Sequence, residues 1–421
     1  MCVDVSVICV SYNHKAFIEN ALSGIVEQKT RFKYEVIVYD DASSDGTDEL
    51  IRKFAEKYSH TVFPILSREN LYSQGRSCFH EIIFPKCNGK YLAFCEGDDV
   101  WIDPYKLDRQ IQYMENHDNC TLTAHNAAVA NLRDASFSPA QRFCDRDEFD
   151  LDMEEILLFH SGMRLTTASV VVRRKTALEI PAEWMSHGYG DLFVHFVAAL
   201  RGEVHYFNRI MSVYRLFAPG AWTDRIVLNY KERIKHFFNL LDSYRLMNSF
   251  SKGVYKDIFI MSIQKEAVLI LGLCKEIGDM SLSDVLEELS DSAIMTDREE
   301  LLRLVRTVTD SQYLDESIKK ALSDGDKIMI YGAGQYADVL SKKIIDSGFD
   351  FDGYIVTTGR KNTDNKNGKR VLDIHEYAAS HMKATIIAAV SGTEWNNIKK
   401  AAEDAGVKED IIYPFMFHVV L

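Results

Sequence analysis

The chain has 421 residues, 47% hydrophobic and 26% charged, the profile of a soluble globular protein of about two or three domains. Its formal net charge of -13 argues against a nucleic-acid partner, because gripping a phosphodiester backbone needs a basic face. It does not exclude a small phosphorylated ligand, since a bound metal reverses the local sign.

The run VSVICVS at 5–11 is apolar almost throughout, as expected of a strand covered on both faces. Phe17, Ile18, Ala21, Leu22, Ile25 and Val26 then recur at helical spacing. A second buried strand, YEVIVY at 34–39, runs into Asp40-Asp41-Ala42-Ser43-Ser44-Asp45-Gly46-Thr47. A helix over 47–58, a strand over 61–66 and a helix over 76–84 follow. The strand KYLAFC at 90–95 ends in a second acidic cluster, Glu96-Gly97-Asp98-Asp99, and Pro104 opens an amphipathic helix to about 117. This alternation predicts a largely parallel α/β sheet with right-handed crossovers.

From Cys120 the pattern changes. Strand-like segments at 121–126, 166–174, 204–207 and 211–214 are separated by an acidic stretch at 145–155 and a helix over 192–200. Helical periodicity without proline then dominates from about 225 to 323, which predicts a bundle or connector. The βα alternation returns with a strand at 328–331, the turn Gly332-Ala333-Gly334 with Ala337 as its last small residue, a helix to 346, and strands at 354–357 and 385–390. Three domains are therefore expected: 1–224, a helical segment at 225–323, and a small Rossmann-like α/β unit at 324–421.

Cysteines fall at 2, 9, 78, 87, 95, 120, 144 and 274 with no C-x-x-C pair, so reduced thiols in a cytoplasmic protein are expected rather than a disulfide framework or zinc site. No signal peptide is expected. The apolar run 267–274 is far shorter than the ~20 residues that cross a bilayer and reads as a buried helix segment.

The two acidic clusters sit where an open α/β sheet holds its ligand, in the crevice beyond the strand tips. Adjacent acids such as Asp98 and Asp99 are costly to leave unpaired there, and a divalent cation carrying a diphosphate is their natural partner. An exposed acidic turn is the plainer alternative. Tyr12, just past the first strand tip, suits stacking on a base or simple packing. Asp40 and Ser43 fit either a ligand contact or a local turn, and Asp45-Gly46-Thr47 fits a turn and helix cap.

Taken in order, VICVSYN at 7–13, Asp40-Asp41-Ala42-Ser43, Glu96-Gly97-Asp98-Asp99 with Trp101, Asp103-Pro104 and Lys106-Leu107, Gly190-Asp191, and Met211-Ser212-Val213-Tyr214-Arg215 resemble family 2 glycosyltransferases with the GT-A fold, over about residues 3–223. The Glu-Gly-Asp-Asp-x-Trp form is similar to members that build bacterial surface polysaccharides. The resemblance implies an inverting, metal-dependent sugar transfer from a nucleotide donor, UDP-linked by expectation, to a glycan or lipid-linked acceptor. It assigns Asp41 to the pyrimidine, Asp98 to ribose or metal, Asp99 to Mn²⁺ or Mg²⁺, and Asp191 to the base that deprotonates the acceptor. Asp191 also suits a helix N-cap, and His187 is a nearby rival for the base. Arg215 is a plausible phosphate contact, while Trp101 and Trp222 suit the acceptor side or packing. The segment Tyr214–Thr223 departs from the family pattern at Phe217, in place of histidine, and Pro219, in place of glycine. These changes put the metal's coordination and the loop's closure in question.

The glycine turn at 332–337 has a strand before it and a helix after, but no acid follows near the end of the next strand, so scaffold and nucleotide binding both stay open. A silent nucleotide-sugar sensor and a sugar nucleotidyltransferase are the rival functions; the latter lacks its arginine-bearing glycine loop after the first strand. Contact with a lipid-linked acceptor would be peripheral at the inner membrane face, and homo-oligomerisation is compatible with the chain.

Overall fold

The computed structural model describes residues 3–140, 146–158, 165–219, 221, 223, 229–260, 262–263, 319–320, 322–323, 327–332, 335–358, 361, 363–390, 395–407 and 412–416. The chain forms two units, Met1–Phe259 and Ile260–Leu421. The expected helical segment lies mostly outside the described residues, as does the apolar run 267–274. Among the described residues no helix is long and apolar enough to cross a membrane.

In the first unit, the apolar runs become β1 (Val5–Ser11), β2 (Tyr34–Asp40), β3 (Val62–Leu66) and β4 (Tyr91–Phe94), all parallel in the order β3-β2-β1-β4. The remaining strands are β5 (Val100–Trp101), β6 (Cys120–Asn131), β7 (Ser136–Pro139), β8 (Glu148–Leu151), β9 (Val171–Arg173) and β10 (Glu203–Leu216). They extend the sheet as β4-β9-β6-β10-β5, with β9 antiparallel to both neighbours and β7 and β8 paired to β6 and β10. The sheet is thus mixed, with the expected parallel order running through β3-β2-β1-β4 and parallel pairing again between β6 and β10.

Two segments differ from the expected elements for local reasons. The strands expected at 204–207 and 211–214 are one strand, β10, whose register against β6 slips between Phe207 and Ser212. Such bulges break the period-2 pattern that marks a strand in sequence. Across 76–84 the helix is a short wide turn, Phe79–Ile83, followed by a tight turn through Pro85. Proline there lacks the N–H that would continue a regular helix.

Helices α1 (Ile18–Val26), α2 (Thr47–Lys57), α3 (Lys106–Asn116), α4 (Met153–Leu158), α5 (Arg174–Ala177) and α6 (Gly190–Arg201) flank the sheet in chain order. Helix α1 buries Ile18, Ala21, Leu22 and Ile25, and α3 buries Leu107, Ile111 and Met114 on one face, in a common core with Val7, Cys9, Val36 and Val38. Each such side chain contributes roughly 1.5–3 kcal/mol on leaving water. The helix Tyr230–Phe250 belongs to the same unit: Tyr189 donates to the His236 carbonyl at 3.0 Å, and the Trp184 and Phe250 rings meet edge-on at 5.1 Å.

The second unit is a doubly wound sheet of β11 (Ile328–Tyr331), β12 (Gly353–Val356), β13 (Asn365–Lys366), β14 (Lys369–Asp373), β15 (Thr385–Val390) and β16 (Ile412–Met416), ordered β13-β14-β12-β11-β15-β16. Alternate residues of β11 supply the two cores: Ile328 and Ile330 pack under Ala337 and Leu340, Met329 and Tyr331 under Ile374 and Ile398. Every pairing is parallel except the β13–β14 hairpin.

One buried charge stands out. Lys106 lies on the apolar face of α3 with no exposure; its ammonium donates to Gln110 Oε1 at 2.7 Å and sits 4.1 Å from the centre of the Trp101 ring. Burial pushes its pKa down from 10.5 to about 7. Between those values the unfolded chain holds a proton that the folded chain has released, so this group makes stability rise from about pH 7 towards pH 10. K106M is expected to flatten that rise in urea midpoints measured across the range; an unchanged slope would place Lys106 elsewhere.

Candidate active site

Strand pairing brings the acidic clusters together. Ser11 at the tip of β1 lies opposite Asp40 at the tip of β2, and Ile8 opposite Phe94 of β4, so the loops after all three strands share one edge of the sheet. The first two loops are stitched by hydrogen bonds: Asn13 N donates to Ser43 Oγ at 2.8 Å, Ser44 N to Asn13 Oδ1 at 2.9 Å, and Lys15 N to Asp45 Oδ2 at 3.0 Å. Asn13 has φ +56°, a conformation that asparagine tolerates better than most residues. Asp45 also accepts from Thr47 N at 3.0 Å, closing a local turn one residue outside the Gly46 capping position of α2. Tyr12 projects from this corner, 37% exposed.

Successive residues of a strand point to opposite faces, and the two aspartates of the first cluster separate accordingly. Asp40 folds onto its own turn, accepting from Ser43 N at 2.9 Å and from the Ser43 hydroxyl. Burial raises its pKa, against the opposing effect of those bonds. Asp41 faces the next loop, where Oδ1 accepts from Tyr39 Oη at 2.9 Å and Leu71 N at 2.8 Å, and Oδ2 from Tyr72 N at 3.0 Å. These donors fill three of the about four acceptor positions of the carboxylate. A hollow of about 370 Å³ opens on the Asp40 side, lined by Asp40, Ser43, Asp48, Arg52, Ser67 and Arg68; Asp41, Asp98 and Asp99 do not line it.

The second cluster forms a tight turn against β1. Gly97 N donates to Val10 O and Asp99 N to Glu96 O. Asp99 is fully buried; its Oδ1 accepts from Arg215 N at 3.1 Å, while Oδ2 has no partner. The Arg215 guanidinium donates to the Asp98 carbonyl at 2.6 Å and lies 5.1 Å from the Phe17 ring centre, so it braces the turn from β10. Burial raises the Asp99 pKa well above the carboxylate range, with Asp98 and Glu96 adding to the rise and Arg215 opposing it. Glu96 is pushed up to about 8 by burial, then by Asp98 and Asp191.

Asp191 lies in the first turn of α6, where Tyr189 is the capping position and makes no side-chain cap. Its Oδ1 accepts from Leu192 N at 2.9 Å. The arrangement uses the favourable field of a helix start without the N-cap geometry. His187 instead approaches the Glu183 carbonyl at 3.2 Å and meets the Phe193 ring edge-on.

Tyr214, half-buried on β10 beside Arg215, has no role assigned from sequence. Burial raises its hydroxyl pKa strongly, and Asp99, Glu96, Asp98 and Asp191 all add to the rise. One phenol therefore feels the acid turn and the α6 acid together. Its position beside Arg215 in β10 was the available signal, but bulges upstream obscured which face it takes.

Other expected site residues fall elsewhere. Trp101 is a core residue, 3% exposed, with its indole N–H donating to the Ala168 carbonyl at 2.9 Å. Phe217 has φ +61°; its N–H donates to Thr223 Oγ1 at 3.1 Å and its ring lies under the Arg133 guanidinium at 3.8 Å. Trp222 and Gly334 lie outside the described residues. Gly332 has φ +116°, and a β-carbon there would stand 3.2 Å from the Ala389 carbonyl, which explains the glycine by backbone approach alone; Ala337 is buried beside it.

Residues 6–173 match the model of Glycosyl transferase family 2. Those residues, less than half of the chain, are similar to a family 2 glycosyltransferase domain. It is similar to the uncharacterized protein Rv1520 of Mycobacterium tuberculosis, 35% identical over 228 residues, covering 52% of this chain and 62% of that one. The match thus spans less than two thirds of that relative's length. The chain is also 32% identical over 115 residues to UDP-Glc:alpha-D-GlcNAc-diphosphoundecaprenol beta-1,3-glucosyltransferase WfaP of Escherichia coli, covering 26% of this chain and 41% of that one. S. aureus TarS 1-349 in complex with UDP-GlcNAc aligns over 77% of this chain and 94% of that one, at 14% identity and a TM-score of 0.45, a likeness too distant to carry function. The mixed α/β sheet with strand-tip acids is the GT-A type of architecture that the motifs imply.

The family's divalent metal can be tested against these residues. Among the described residues no three His, Cys, Asp or Glu groups form a ready-made cage. Magnesium-type sites, however, commonly use one or two carboxylates and fill the rest with phosphate and water. The orphaned buried Oδ2 of Asp99, beside Asp98, fits that smaller role. D99N keeps an oxygen for Arg215 N and removes one crowded charge. In the presence of chelator it should therefore melt higher than wild type; about 1 kcal/mol of relieved repulsion corresponds to roughly 2–4 °C in calorimetry. A lower melting point would mean the acids are not crowded in the free protein.

Proposed function

We propose that the protein is an inverting, metal-dependent glycosyltransferase that moves a sugar from a UDP-linked donor to a glycan or lipid-linked acceptor of a surface polysaccharide. The observation that carries this reading is the acid turn at the β4 tip, where Asp99 is fully buried with Oδ2 unpartnered while Arg215 of β10 holds its Oδ1 and the Asp98 carbonyl. Support for the donor and acceptor comes from the similarity to WfaP, a glucosyltransferase named for UDP-Glc and a diphosphoundecaprenol-linked sugar.

In this reading Asp41 accepts an N–H of the base through its remaining acceptor position, and Tyr12 covers the base from the β1 corner. Asp98 and Asp99 hold the ribose and the cation, which when bound stabilises the charge of the departing diphosphate. Arg215 keeps the acid turn in place from β10. Asp191 takes the proton of the acceptor hydroxyl as its oxygen bonds to the anomeric carbon, while the bond from that carbon to the diphosphate oxygen breaks and its electron pair leaves with the nucleotide. Attack opposite the leaving group inverts the anomeric centre. A general base of this kind is worth ~10²–10⁴ in rate.

D191N is accordingly expected to lower kcat by ~10²–10⁴, with the affinity for UDP in the presence of Mn²⁺ held within about twofold by calorimetry. A collapse of UDP affinity with kcat preserved would sink the base assignment. Wild-type protein incubated with UDP-sugars and Mn²⁺ in the absence of acceptor should release UDP slowly; binding with no release over hours would favour a sensor.

A further inference from the structure

His14 follows the β1 tip and has no part in the assignments above. Its carbonyl accepts from Phe17 N and Ile18 N at 2.9 Å each, which fixes the residue at the start of α1. Its ring is buried, 8% exposed, with Nε2 3.8 Å from Asp98 Oδ2. On the other side of the ring Nδ1 has no partner, and neither does the neighbouring Ser11 Oγ. A β-carbon on Gly97 would stand 2.8 Å from Nδ1, 3.0 Å from Ser11 Oγ and 3.1 Å from Ile18 Cδ1. The ring therefore occupies the space that a side chain at 97 would need.

A buried ring nitrogen without a hydrogen bond costs roughly 1–3 kcal/mol, so packing alone is a poor reason for histidine at this position. The contact that distinguishes it from an apolar ring is the one to Asp98. At 3.8 Å that contact is an ion-pair approach, longer than a hydrogen bond, and it limits how far the carboxylate can swing.

We propose that His14 is a positioning residue of the donor site, holding Asp98 in its binding orientation through Nε2, and that Gly97 is glycine because the imidazole lies where its β-carbon would be. The inference rests on the reading of Asp98 and Asp99 as donor-site acids. It links two motifs from separate strands, Tyr12-Asn13-His14 and Glu96-Gly97-Asp98-Asp99, into one interlocked device.

The test uses the full chain, UDP and Mn²⁺, with calorimetric affinity measured with and without chelator. H14F keeps a ring of similar size but has no nitrogen, whereas H14Q keeps an amide nitrogen near the Nε2 position. H14F should weaken Mn²⁺-dependent UDP binding about tenfold. H14Q should stay within about threefold of wild type, and in turnover H14F should raise KM more than it lowers kcat. Unaltered UDP affinity in H14F, or equal losses in H14F and H14Q, would overturn the proposal. D99A run alongside separates the two levels. If D99A loses the Mn²⁺-dependent affinity while H14F keeps it, only the role of His14 falls; if D99A keeps it, the donor-site reading falls and this inference with it.

Discussion

Crowding of carboxylates at one edge of a sheet is the constraint on which the rest of this site depends. Glu96, Asp98 and Asp99 fall within four consecutive positions of one turn, and the charge of Asp191 on α6 adds to the rise in the Glu96 pKa. Taking such groups out of water disfavours their charged forms, and each neighbour of like charge adds to the penalty. The raised pKa values of Asp99 and Glu96 express that conflict directly. Proteins keep arrangements of this kind where a ligand of opposite charge relieves them.

The surrounding elements hold the conflict in place instead of dispersing it. Arg215 reaches back from β10 to the Asp98 carbonyl, and its own N–H satisfies one oxygen of Asp99. Gly97 ties the turn to β1 through Val10. Below the turn, Trp101 is anchored to Ala168, and Gln110 donates to both Thr123 and the Ser169 carbonyl, so α3, β6 and the 167–169 turn are joined by buried polar contacts. The acid turn is therefore set on rigid strands, as a site that must hold a charged ligand in one geometry requires.

Legibility differed between the fold and the site. The strands β1, β2 and β4 were readable because a strand buried on both faces is a continuous apolar run, whatever else the protein contains. The two-residue β5 and the edge strands β7 and β8 carry no such signal, and the bulged β10 was read as two pieces. Among site residues, Asp41, Asp98, Asp99 and Asp191 could be listed from motif order, whereas Tyr214 and His14 could not. The approach of His14 to Asp98 joins residues more than 80 positions apart, which no local pattern reveals.

Local composition by itself determined that this protein has strand-tip acids, a parallel sheet beginning at its first residues and a second α/β unit after 327, because those features are written in short runs of neighbouring side chains. Only the tertiary structure decided that Asp40 turns inward on Ser43 while Asp41 faces Leu71 and Tyr72, and that Trp101 belongs to the core. The physical reason is that pleat direction, bulge position and helix docking set which way each side chain points, and none of the three is a property of a residue and its immediate neighbours.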